Sequence, residues 1–334
     1  MISQETPDIE RKVVAILKVL SDSPEPLGSR VISRRLSGFG IELGERAVRY
    51  HLKLMDERGL TRPVGARDGR YITEQGIEEL SDALVRDRVE AINAKIELLA
   101  YRTSLDLEKR TGEVPINTSL FPKEKFKMAL ETMKGPFKAG LCVSQLVAVA
   151  FQGEILGEVT VPPGKVGLAT VSSVAVTGAL LKAGIPHDSR FGGVLQLRNN
   201  RPLRFIELIE CAGSSLSPAE IFVAGRMTKV SEAAASGEGK ILAHFRELPS
   251  PCKLMVENTL EKLKEAGING VVMIGKPNET VCEIPVGFNK IGMILQSGLN
   301  PVAAAVEAGI EVINRAMSGV FDFRKLKSFE AYVR

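Results

Sequence analysis

Residues 29–72 read SRVISRRLSGFGIELGERAVRYHLKLMDERGLTRPVGARDGRYI and decide how the N-terminal part of the chain folds. The stretch holds two short helical patterns, with glycines at 38, 40 and 44 between them, and then a basic segment with the composition of a β-hairpin. Two helices across a glycine-containing turn, followed by a hairpin, are typical of a winged helix-turn-helix that reads DNA. We therefore predict a winged helix-turn-helix domain over residues 8–80.

The second helix of this module is predicted at about residues 45–59. At 3.6 residues per turn its apolar side chains share one face, and they are Val48, Leu52 and Met55, flanked by Ala47 and His51. The opposite face carries Arg46, Arg49, Tyr50 and Lys53. Arginine can form a bidentate contact with a guanine edge, and lysine or tyrosine can hold phosphates, so this face is predicted to read DNA. The alternative is a solvated basic helix face, which is common on protein surfaces.

The flanking segments complete the module. An amphipathic first helix is predicted from the spacing of its apolar residues, which are Val13, Ile16, Leu17 and Leu20. Ser29 is the predicted N-cap of a helix over residues 30–36. Two short strands are predicted at residues 60–62 and 70–73, with a turn at residues 65–69 between them.

Positive charge is concentrated on this module. Residues 29–70 contain ten Lys/Arg and five Asp/Glu, a local balance of +5, whereas residues 1–28 are net acidic. Local basic charge favours DNA binding through counterion release, while the net charge of +4 for the whole chain is too small for non-specific coating of nucleic acid. The predicted DNA-binding residues are Arg34, Arg35, Arg46, Arg49, Tyr50, Lys53, Arg62, Arg67 and Arg70.

Composition and length limit the class of protein. A chain of 334 residues predicts two or three domains. The four cysteines lie far apart without a CxxC pair and suit reduced core thiols of a cytosolic protein. Residues 1–10 lack the features of a signal peptide, and the longest apolar stretch, residues 141–151, is too short to span a bilayer. We expect a soluble, cytoplasmic protein without a membrane partner.

A helical connector is predicted over residues 81–114, because apolar residues recur there at helical spacing: Leu84, Val89, Ile92, Ile96 and Leu99. The connector could dock a partner subunit or pack on its own domain. A homodimer or higher homo-oligomer is expected on separate grounds, since helix-turn-helix proteins usually read two half-sites with a two-fold symmetric pair.

Residues 115–322 alternate irregularly between β-branched runs and short helical patterns. This pattern predicts an α/β (α+β) domain. Because the DNA-reading module points to a regulator, we expect this domain to be the effector domain, which senses a ligand and mediates oligomerisation. Two of its segments are loosely alike: residues 166–185 (VGLATVSSVAVTGALLKAGI) and 291–310 (IGMILQSGLNPVAAAVEAGI). The likeness is a hint of two related subdomains, although segments rich in Gly, Ala and Val match easily by chance.

Motifs of common catalytic sites are absent from the sequence. Gly164-Lys165 is followed by Val166 in place of Ser or Thr, so there is no phosphate loop, and there is no GxSxG, HExxH or paired-carboxylate motif. The three histidines, His51, His187 and His244, are too scattered for a metal site. We therefore predict a protein that is not an enzyme and that needs no metal or cofactor.

A polar, glycine-rich region at residues 160–193 suits a small ligand. Its glycines allow close approach of backbone, and two cations beside several hydroxyls suit an anion such as a dicarboxylate. A later stretch, residues 210–218, could be a ligand loop or a capping turn before a helix. The alternative for residues 160–193 is that their small polar residues form ordinary turns and that Lys165 and Arg190 lie in solvent. The predicted ligand-binding residues are Lys165, Ser172, Ser173, Thr177, Arg190, Ser214 and Ser215.

Together, the winged helix, residues 161–186 (VPPGKVGLATVSSVAVTGALLKAGIP) and residues 189–222 (SRFGGVLQLRNNRPLRFIELIECAGSSLSPAEIF) resemble the nitrogen regulatory repressor (NrpR) family of archaea. The likeness runs from about Val13 to Phe321. It implies a repressor of nitrogen-assimilation genes that binds an inverted-repeat operator as an oligomer and is released by 2-oxoglutarate. This effector is a dicarboxylate, in agreement with the cationic, hydroxyl-rich region.

The resemblance leaves two alternatives open. Family members can carry two copies of the sensing domain, whereas this chain has room for one, so a second NrpR-family protein could supply sensing in trans. The first alternative is therefore a corepressor that acts through a second regulator. The second is a metabolic enzyme with a fused DNA-binding domain.

Overall fold

A computed structural model describes residues 7–23, 25–38, 41–65, 69–83 and 91–333 of the chain. The chain divides into two compact units, residues 1–88 and residues 89–334. The described helices include none that is long and apolar enough to cross a membrane.

The first unit is a winged helix-turn-helix. Its described elements are α1 (Pro7–Ser21), α2 (Ser29–Gly38), α3 (Glu45–Glu57), β1 (Thr61–Pro63), β2 (Arg70–Ile72) and α4 (Glu74–Ala83). The two strands pair antiparallel, with Thr61 opposite Ile72, and form the wing. The predicted order of helices and hairpin is confirmed, while residues 66–68 of the predicted turn lie outside the described residues.

The predicted apolar stripes form the core of this unit. The buried side chains of α1 pack with those of α2 and α3, and they include Val13, Ile16, Leu17, Leu20, Val48, Leu52 and Met55. Two local predictions are corrected. Ala47 is exposed, because the buried stripe of α3 is narrower than expected. Ser29 is the first residue of α2 instead of its N-cap, and its hydroxyl donates to Glu45 Oε1 at 3.3 Å.

The second unit contains two larger sheets with helices packed on them. Its strands are β3 (Glu113–Pro122), β4 (Leu146–Ala150), β5 (Ile155–Leu156), β6 (Val159–Thr160), β7 (Lys165–Val171), β8 (Asp188–Arg198), β9 (Arg201–Glu210), β10 (Gly239–Pro249), β11 (Val271–Ile274), β12 (Lys290–Gln296), β13 (Ile313–Arg315), β14 (Val320–Asp322) and β15 (Lys327–Ser328). The first sheet has the order β13-β3-β7-β4-β15, with β14 also on β3, and the second has the order β11-β12-β10-β8-β9. This arrangement confirms the predicted mixed α/β fold class.

Seven described helices accompany these sheets. They are α5 (Ala91–Arg102), α6 (Phe126–Lys138), α7 (Val174–Lys182), α8 (Pro218–Ala224), α9 (Val230–Ser236), α10 (Lys253–Glu265) and α11 (Asn300–Glu307). The inner strands β7 and β12 are buried along their length except at their first residue. That burial explains their nearly continuous runs of aliphatic residues.

The second unit is built from two copies of one pattern. The series β3, α6, β4, β7, α7 recurs as β10, α10, β11, β12, α11. Asn117 of β3 lies opposite Thr170, and His244 of β10 lies opposite Leu295, so Asn117 and His244 occupy equivalent positions. The two loosely alike segments of the sequence therefore adopt the same strand–turn–helix structure.

Each copy contributes a strand to the sheet of the other copy. β8 follows α7 of the first copy and pairs with β10 of the second. β13 follows α11 of the second copy and pairs with β3 of the first. Side chains of both copies share one hydrophobic core, among them Phe121, Leu168, Phe245 and Ile294. Neither sheet is complete without the other copy.

The predicted connector over residues 81–114 is not a single helical element. Within it, α5 is a helix of the second unit, where Ile92, Ile96 and Leu99 are buried in a cluster with Val174 of α7. Residues 103–112 are not helical, and β3 begins at Glu113. Leu84 and Val89 lie outside the described residues. The sequence left open whether this segment docks a partner subunit or packs on its own domain. The buried cluster shows that α5 packs on its own domain.

The second unit also extends beyond the predicted end at residue 322. The ring of Phe329 stacks on Phe137 of α6 with a centroid distance of 4.0 Å. β15 pairs with β4 at the edge of the first sheet. The last described residues therefore belong to the core of the domain.

Candidate DNA-reading helix and buried arginine site

The basic face of α3 is exposed, as the sequence predicts. Arg46, Arg49, Tyr50 and Lys53 are all exposed, while Val48, His51, Leu52 and Met55 anchor the opposite side of the helix in the core. Arg49 lies 4.0 Å from Glu45 one turn earlier, and this exposed pair leaves its guanidinium at the surface. The helix therefore presents a continuous cationic and aromatic surface of the kind that fits the major groove.

The other predicted DNA-binding residues differ in their surroundings. Arg34 and Arg35 of α2 and Arg62 of β1 are exposed. Arg67 lies outside the described residues. Arg70 is not a free cation of the wing: its Nε donates to Asp56 Oδ2 at 2.7 Å, and the two side chains are 27% and 21% exposed. The pair fastens β2 to α3, which is a structural role that the charge pattern alone does not distinguish.

The second unit contains a buried arginine. Arg246 of β10 is 1% exposed, its Nη1 donates to the Phe245 carbonyl at 3.2 Å, and its Nε has no hydrogen-bond partner. In the part of the chain that the structure describes, no carboxylate lies within ion-pair distance of it. Burial lowers the pKa of the guanidinium, whereas the neighbouring Cys211 thiol raises it. A desolvated cation is costly unless an anion compensates it, so the surroundings of Arg246 suit an anionic ligand.

Arg246 lines a small cavity of about 20 Å³ where two equivalent helices begin. The turns before α7 and α11 both contribute, through Ser172 and Ser173 and through Ser297 and Gly298. Ser172 Oγ accepts from the Val174 N–H at 3.3 Å, and Ser297 Oγ accepts from the Leu299 N–H at 3.2 Å. Helix N-termini carry partial positive charge and favour anions. The two turns and Arg246 therefore all contribute positive electrostatic potential at the cavity.

Close packing explains why one of the two turns carries glycine. A Cβ atom on Gly298 would lie 2.1 Å from the Val171 carbonyl oxygen and 2.8 Å from Asn117 Nδ2. The equivalent residue of the first copy is Ser173, which has a hydroxyl at the cavity. The site lies between the two copies but is asymmetric, because Ser119 and Asn117 stand where the second copy has Arg246 and His244.

Two histidines lie near the arginine. Burial, and next the charge of Arg246, lowers the pKa of His244 to about 3. The same two causes lower the pKa of His187 to about 4, against a smaller opposing effect of Asp188. Both imidazoles are therefore neutral at neutral pH. His244, which lines the cavity, can donate or accept one hydrogen bond without adding charge.

A second cavity of about 220 Å³ contains Arg190 but has mixed charge. Its lining includes three carboxylates, those of Glu97, Asp188 and Glu210. Arg190 Nη1 lies 3.1 Å from Oε2 of the buried Glu247, so this cation is already compensated. The second cavity is larger, but it is less suited to an anion than the surroundings of Arg246.

The predicted ligand residues do not form one cluster. Ser172 and Ser173 line the cavity at Arg246, whereas Lys165 lies at the opposite end of β7. The buried Thr177 donates to the Val174 carbonyl at 3.0 Å within α7. Ser214 Oγ donates to the Leu216 carbonyl at 2.8 Å, which agrees with a turn before α8. Arg190 and the exposed Ser215 are also absent from the lining of this cavity.

Arg246 and His244 were not predicted as ligand-binding residues, because no known motif surrounds them in the sequence. The available signal was their alternation within an otherwise apolar strand, ILAHFREL at residues 241–248. Two polar residues separated by one apolar residue share a face of a strand. The described residues contain no group of three or more His, Cys, Asp or Glu side chains placed to hold a metal ion.

An exposed basic recognition helix on one unit and a separate α/β unit with a polar internal site define a DNA-binding regulator. Residues 89–328 match the family model of NrpR regulatory domains NRD1 and 2. Residues 14–80 match the winged-helix domain model described for ribonuclease R. The chain belongs to the NrpR family of archaeal nitrogen regulators.

Similar proteins agree with this assignment. The chain is 40% identical to global nitrogen regulator NrpRI of Methanosarcina mazei over 96% of this chain and 98% of that protein. It is 31% identical to global nitrogen regulator NrpR of Methanococcus maripaludis, of which it covers 51%. It therefore spans about half the length of that relative.

A solved structure resembles a large part of this chain. It is the crystal structure of a nitrogen repressor-like protein from Methanococcus jannaschii, with a TM-score of 0.60, 26% identity, and coverage of 71% of this chain and 98% of that one. Because the relatives are named regulators, this protein is a nitrogen-related transcriptional regulator and not an enzyme. The alternative of a metabolic enzyme with a fused DNA-binding domain is therefore wrong.

Proposed function

We propose that this protein represses nitrogen-assimilation genes by binding an inverted-repeat operator as a homodimer or higher oligomer, and that 2-oxoglutarate releases it. The observation that supports the effector is the buried Arg246, whose Nε is without a partner at a point where two helices begin. The observation that supports the operator is the exposed basic face of α3.

The chemistry of the effector matches that of the site. 2-Oxoglutarate carries two carboxylates and a keto oxygen, and all of these accept hydrogen bonds. One carboxylate pairs with Arg246 in a charge-assisted hydrogen bond. The hydroxyls of Ser172, Ser173 and Ser297 and the neutral His244 are close enough to one another to serve the remaining oxygens. The predicted ligand residues Ser172 and Ser173 are part of this proposal, and Arg246 is added to them.

The effector enters only if the site opens. A volume of about 20 Å³ holds roughly one water. Ile92 and Ile96 of α5 close one side of the cavity, and α5 is the first described element of its unit after the winged helix in the chain. We propose that the effector displaces α5 and so favours a state of the oligomer whose two winged helices no longer match two half-sites. Such a population shift requires that the effector bind the DNA-free state more tightly.

Operator binding tests this proposal directly. Fluorescence anisotropy is measured on an inverted-repeat fragment of a nitrogen-gene promoter, with and without 2-oxoglutarate. The wild type binds tightly and is released by the metabolite. Arg246→Met binds the operator as tightly but is not released. Arg324→Met, which removes an exposed arginine paired with Asp322, is the matched control and responds like the wild type.

Comparison with the variant Arg190→Met shows which of the two cavities binds the effector. Loss of release in Arg190→Met with normal release in Arg246→Met would place the effector in the cavity of 220 Å³ and overturn the assignment to Arg246. Tight operator binding that ignores the metabolite in the wild type would exclude sensing in cis.

One observation supports a second candidate function, that of a corepressor. The chain covers 51% and 52% of two NrpR relatives, so about half of each of those proteins has no counterpart in this chain. A second family protein could supply the additional regulatory copy, and this chain would then act as a corepressor. Weak operator binding alone, with strong binding after addition of a second NrpR-family protein, would favour that candidate.

A further inference from the structure

Strand β9 lies at one edge of the second sheet. The sheet has the order β11-β12-β10-β8-β9, and within the described part of the chain β9 pairs on one side only, with β8. All ten residues of β9 are at least partly exposed. Leu203 and Leu208 are 39% and 43% exposed, although both are large and apolar. A long edge strand with exposed leucines presents a surface on which another strand can pair.

The sequence of β9 is self-complementary when it is reversed. The strand reads RPLRFIELIE from residue 201 to residue 210. Laid antiparallel on itself about its midpoint, it places each arginine opposite a glutamate and each apolar residue opposite another apolar residue. The pairs are Arg201 with Glu210, Pro202 with Ile209, Leu203 with Leu208, Arg204 with Glu207, and Phe205 with Ile206.

The four charges of β9 have no ionic partners among the residues that the structure describes. Arg201, Arg204, Glu207 and Glu210 take part in none of the ion pairs of the second unit. Arg204 Nε donates to Gln196 Oε1 at 3.2 Å, and this bond leaves the rest of its guanidinium available. Opposite charges directly across two antiparallel strands stabilise the pair, and like charges destabilise it. A second copy of the strand, laid antiparallel, would place an opposite charge across from each of them.

We propose that β9 is a homodimer contact, in which the strands of two copies lie antiparallel around a two-fold axis between Phe205 and Ile206. The contact is isologous, since the same surface meets itself. Its centre is apolar, and its ends hold two symmetric sets of Arg–Glu pairs. A parallel arrangement would instead place arginine beside arginine, so the charges select the antiparallel one.

The register of β8 against β9 shifts at two points, between Val194 and Leu195 and between Gln196 and Leu197. Such irregularities also occur where an edge strand is protected from pairing. If the edge is protected in this way, charge changes on β9 have no influence on assembly. If β9 pairs with a second copy, they do.

The test is charge reversal, read by sedimentation velocity of the full-length protein over a range of concentrations. In Arg204→Glu two Arg–Glu pairs become Glu–Glu pairs, and in Glu207→Arg they become Arg–Arg pairs. We expect each variant alone to dissociate, with an apparent dimer dissociation constant raised about tenfold or more. The double variant Arg204→Glu/Glu207→Arg restores both pairs and the dimer.

A mixture of the two single variants gives the sharpest result. One copy then carries glutamate and the other arginine at both positions, so the mixture forms a heterodimer although neither variant dimerises alone. Lys264→Glu, an exposed charge reversal on α10, is the control and assembles like the wild type. Monomeric wild type, or assembly of both single variants at the wild-type concentration, overturns the proposal. The measurement uses neither DNA nor effector, so its failure is distinct from a failure of the proposed function.

Discussion

At the scale of the residue, the position of Arg246 shows how the two copies of the regulatory unit differ. Ser119 of β3 donates to Asn314 Oδ1 at 2.7 Å and is satisfied within the protein. The equivalent residue of β10 is Arg246, which has the same backbone position but leaves its Nε without a partner. The repeated pattern therefore supplies two helix N-termini, and the second copy alone supplies the cation. The difference leaves one buried cation, in the second copy, without an ion-pair partner among the described residues.

The neighbouring histidines predict a pH dependence of stability. The folded protein holds the pKa of His244 at about 3 and that of His187 at about 4, below the value of 6.5 expected in the unfolded chain. The unfolded state therefore binds protons first as the pH falls, and the free energy of unfolding decreases from about pH 6.5 toward pH 4. Between pH 7 and pH 5 we expect a loss of about 2 kcal/mol for each histidine.

Urea unfolding followed by circular dichroism measures this dependence, because the chain contains no tryptophan. His244→Gln should lose about 2 kcal/mol less than the wild type between pH 7 and pH 5. His187→Gln should show the same reduced loss. An identical pH dependence in wild type and both variants would contradict the lowered pKa values.

At the scale of elements, the charged residues of α3 and those of the wing have different surroundings in the first unit. The exposed residues of α3 are available to DNA, whereas Arg70 holds the wing through Asp56. Asp56 Oδ1 also accepts from Thr61 Oγ1 at 2.6 Å, so one carboxylate ties both strands of the wing to the helix. The position of the wing relative to the recognition helix therefore depends on this carboxylate.

Substitutions on α3 should separate base reading from phosphate contact. Arg46→Ala is expected to cost about 1–3 kcal/mol on the cognate operator and to relax specificity at one base pair. Lys53→Ala is expected to weaken all sequences alike and to lower the slope of log affinity against log salt by about one. Anisotropy titrations at several salt concentrations measure both effects.

Arg11→Ala on the exposed side of α1 provides the control for these titrations, since it removes one surface arginine outside α3. Its operator affinity should remain close to that of the wild type. Unchanged operator binding in Arg46→Ala, Arg49→Ala and Lys53→Ala would show that α3 is not the reading helix.

At the scale of the whole molecule, the exchanged strands join the two copies of the second unit around one shared core. β8 of the first copy completes the second sheet, and β13 of the second copy completes the first sheet. A copy that opened alone would expose the strand edge of its partner and part of a shared core. We therefore expect no state in which one copy is folded and the other is not.

Hydrogen exchange measured by mass spectrometry in increasing urea tests this cooperativity. Peptides from β3 and β7 and peptides from β10 and β12 should give one common free energy of opening. Peptides from α1 and α3 serve as an internal reference, because they belong to the other compact unit and should open with their own free energy. Two distinct opening energies within the second unit would contradict the interlocked arrangement.

Local structure was predictable where the determining interactions are local. The apolar spacing of α1 and α3 and the glycines between the helices are encoded within a few residues, so the winged helix follows from periodicity and turn residues. The repeat was visible as a weak likeness because the same strand–turn–helix needs similar residues in both copies. Two of the predicted serines, Ser172 and Ser173, line the cavity at Arg246, whereas the two predicted cations, Lys165 and Arg190, do not.

The remaining features depend on contacts between distant parts of the chain. Only the tertiary structure pairs β13 with β3 across almost two hundred residues and thereby places Gly298 beside Asn117. Only packing shows that Arg70 and Arg190 are compensated by Asp56 and Glu247 while Arg246 is not. The physical reason is that periodicity and propensity act over a few residues, whereas the compensation of a charge depends on which groups surround it in space. The sequence therefore determined the modules and their chemical character, and the fold decided which charges are free to act.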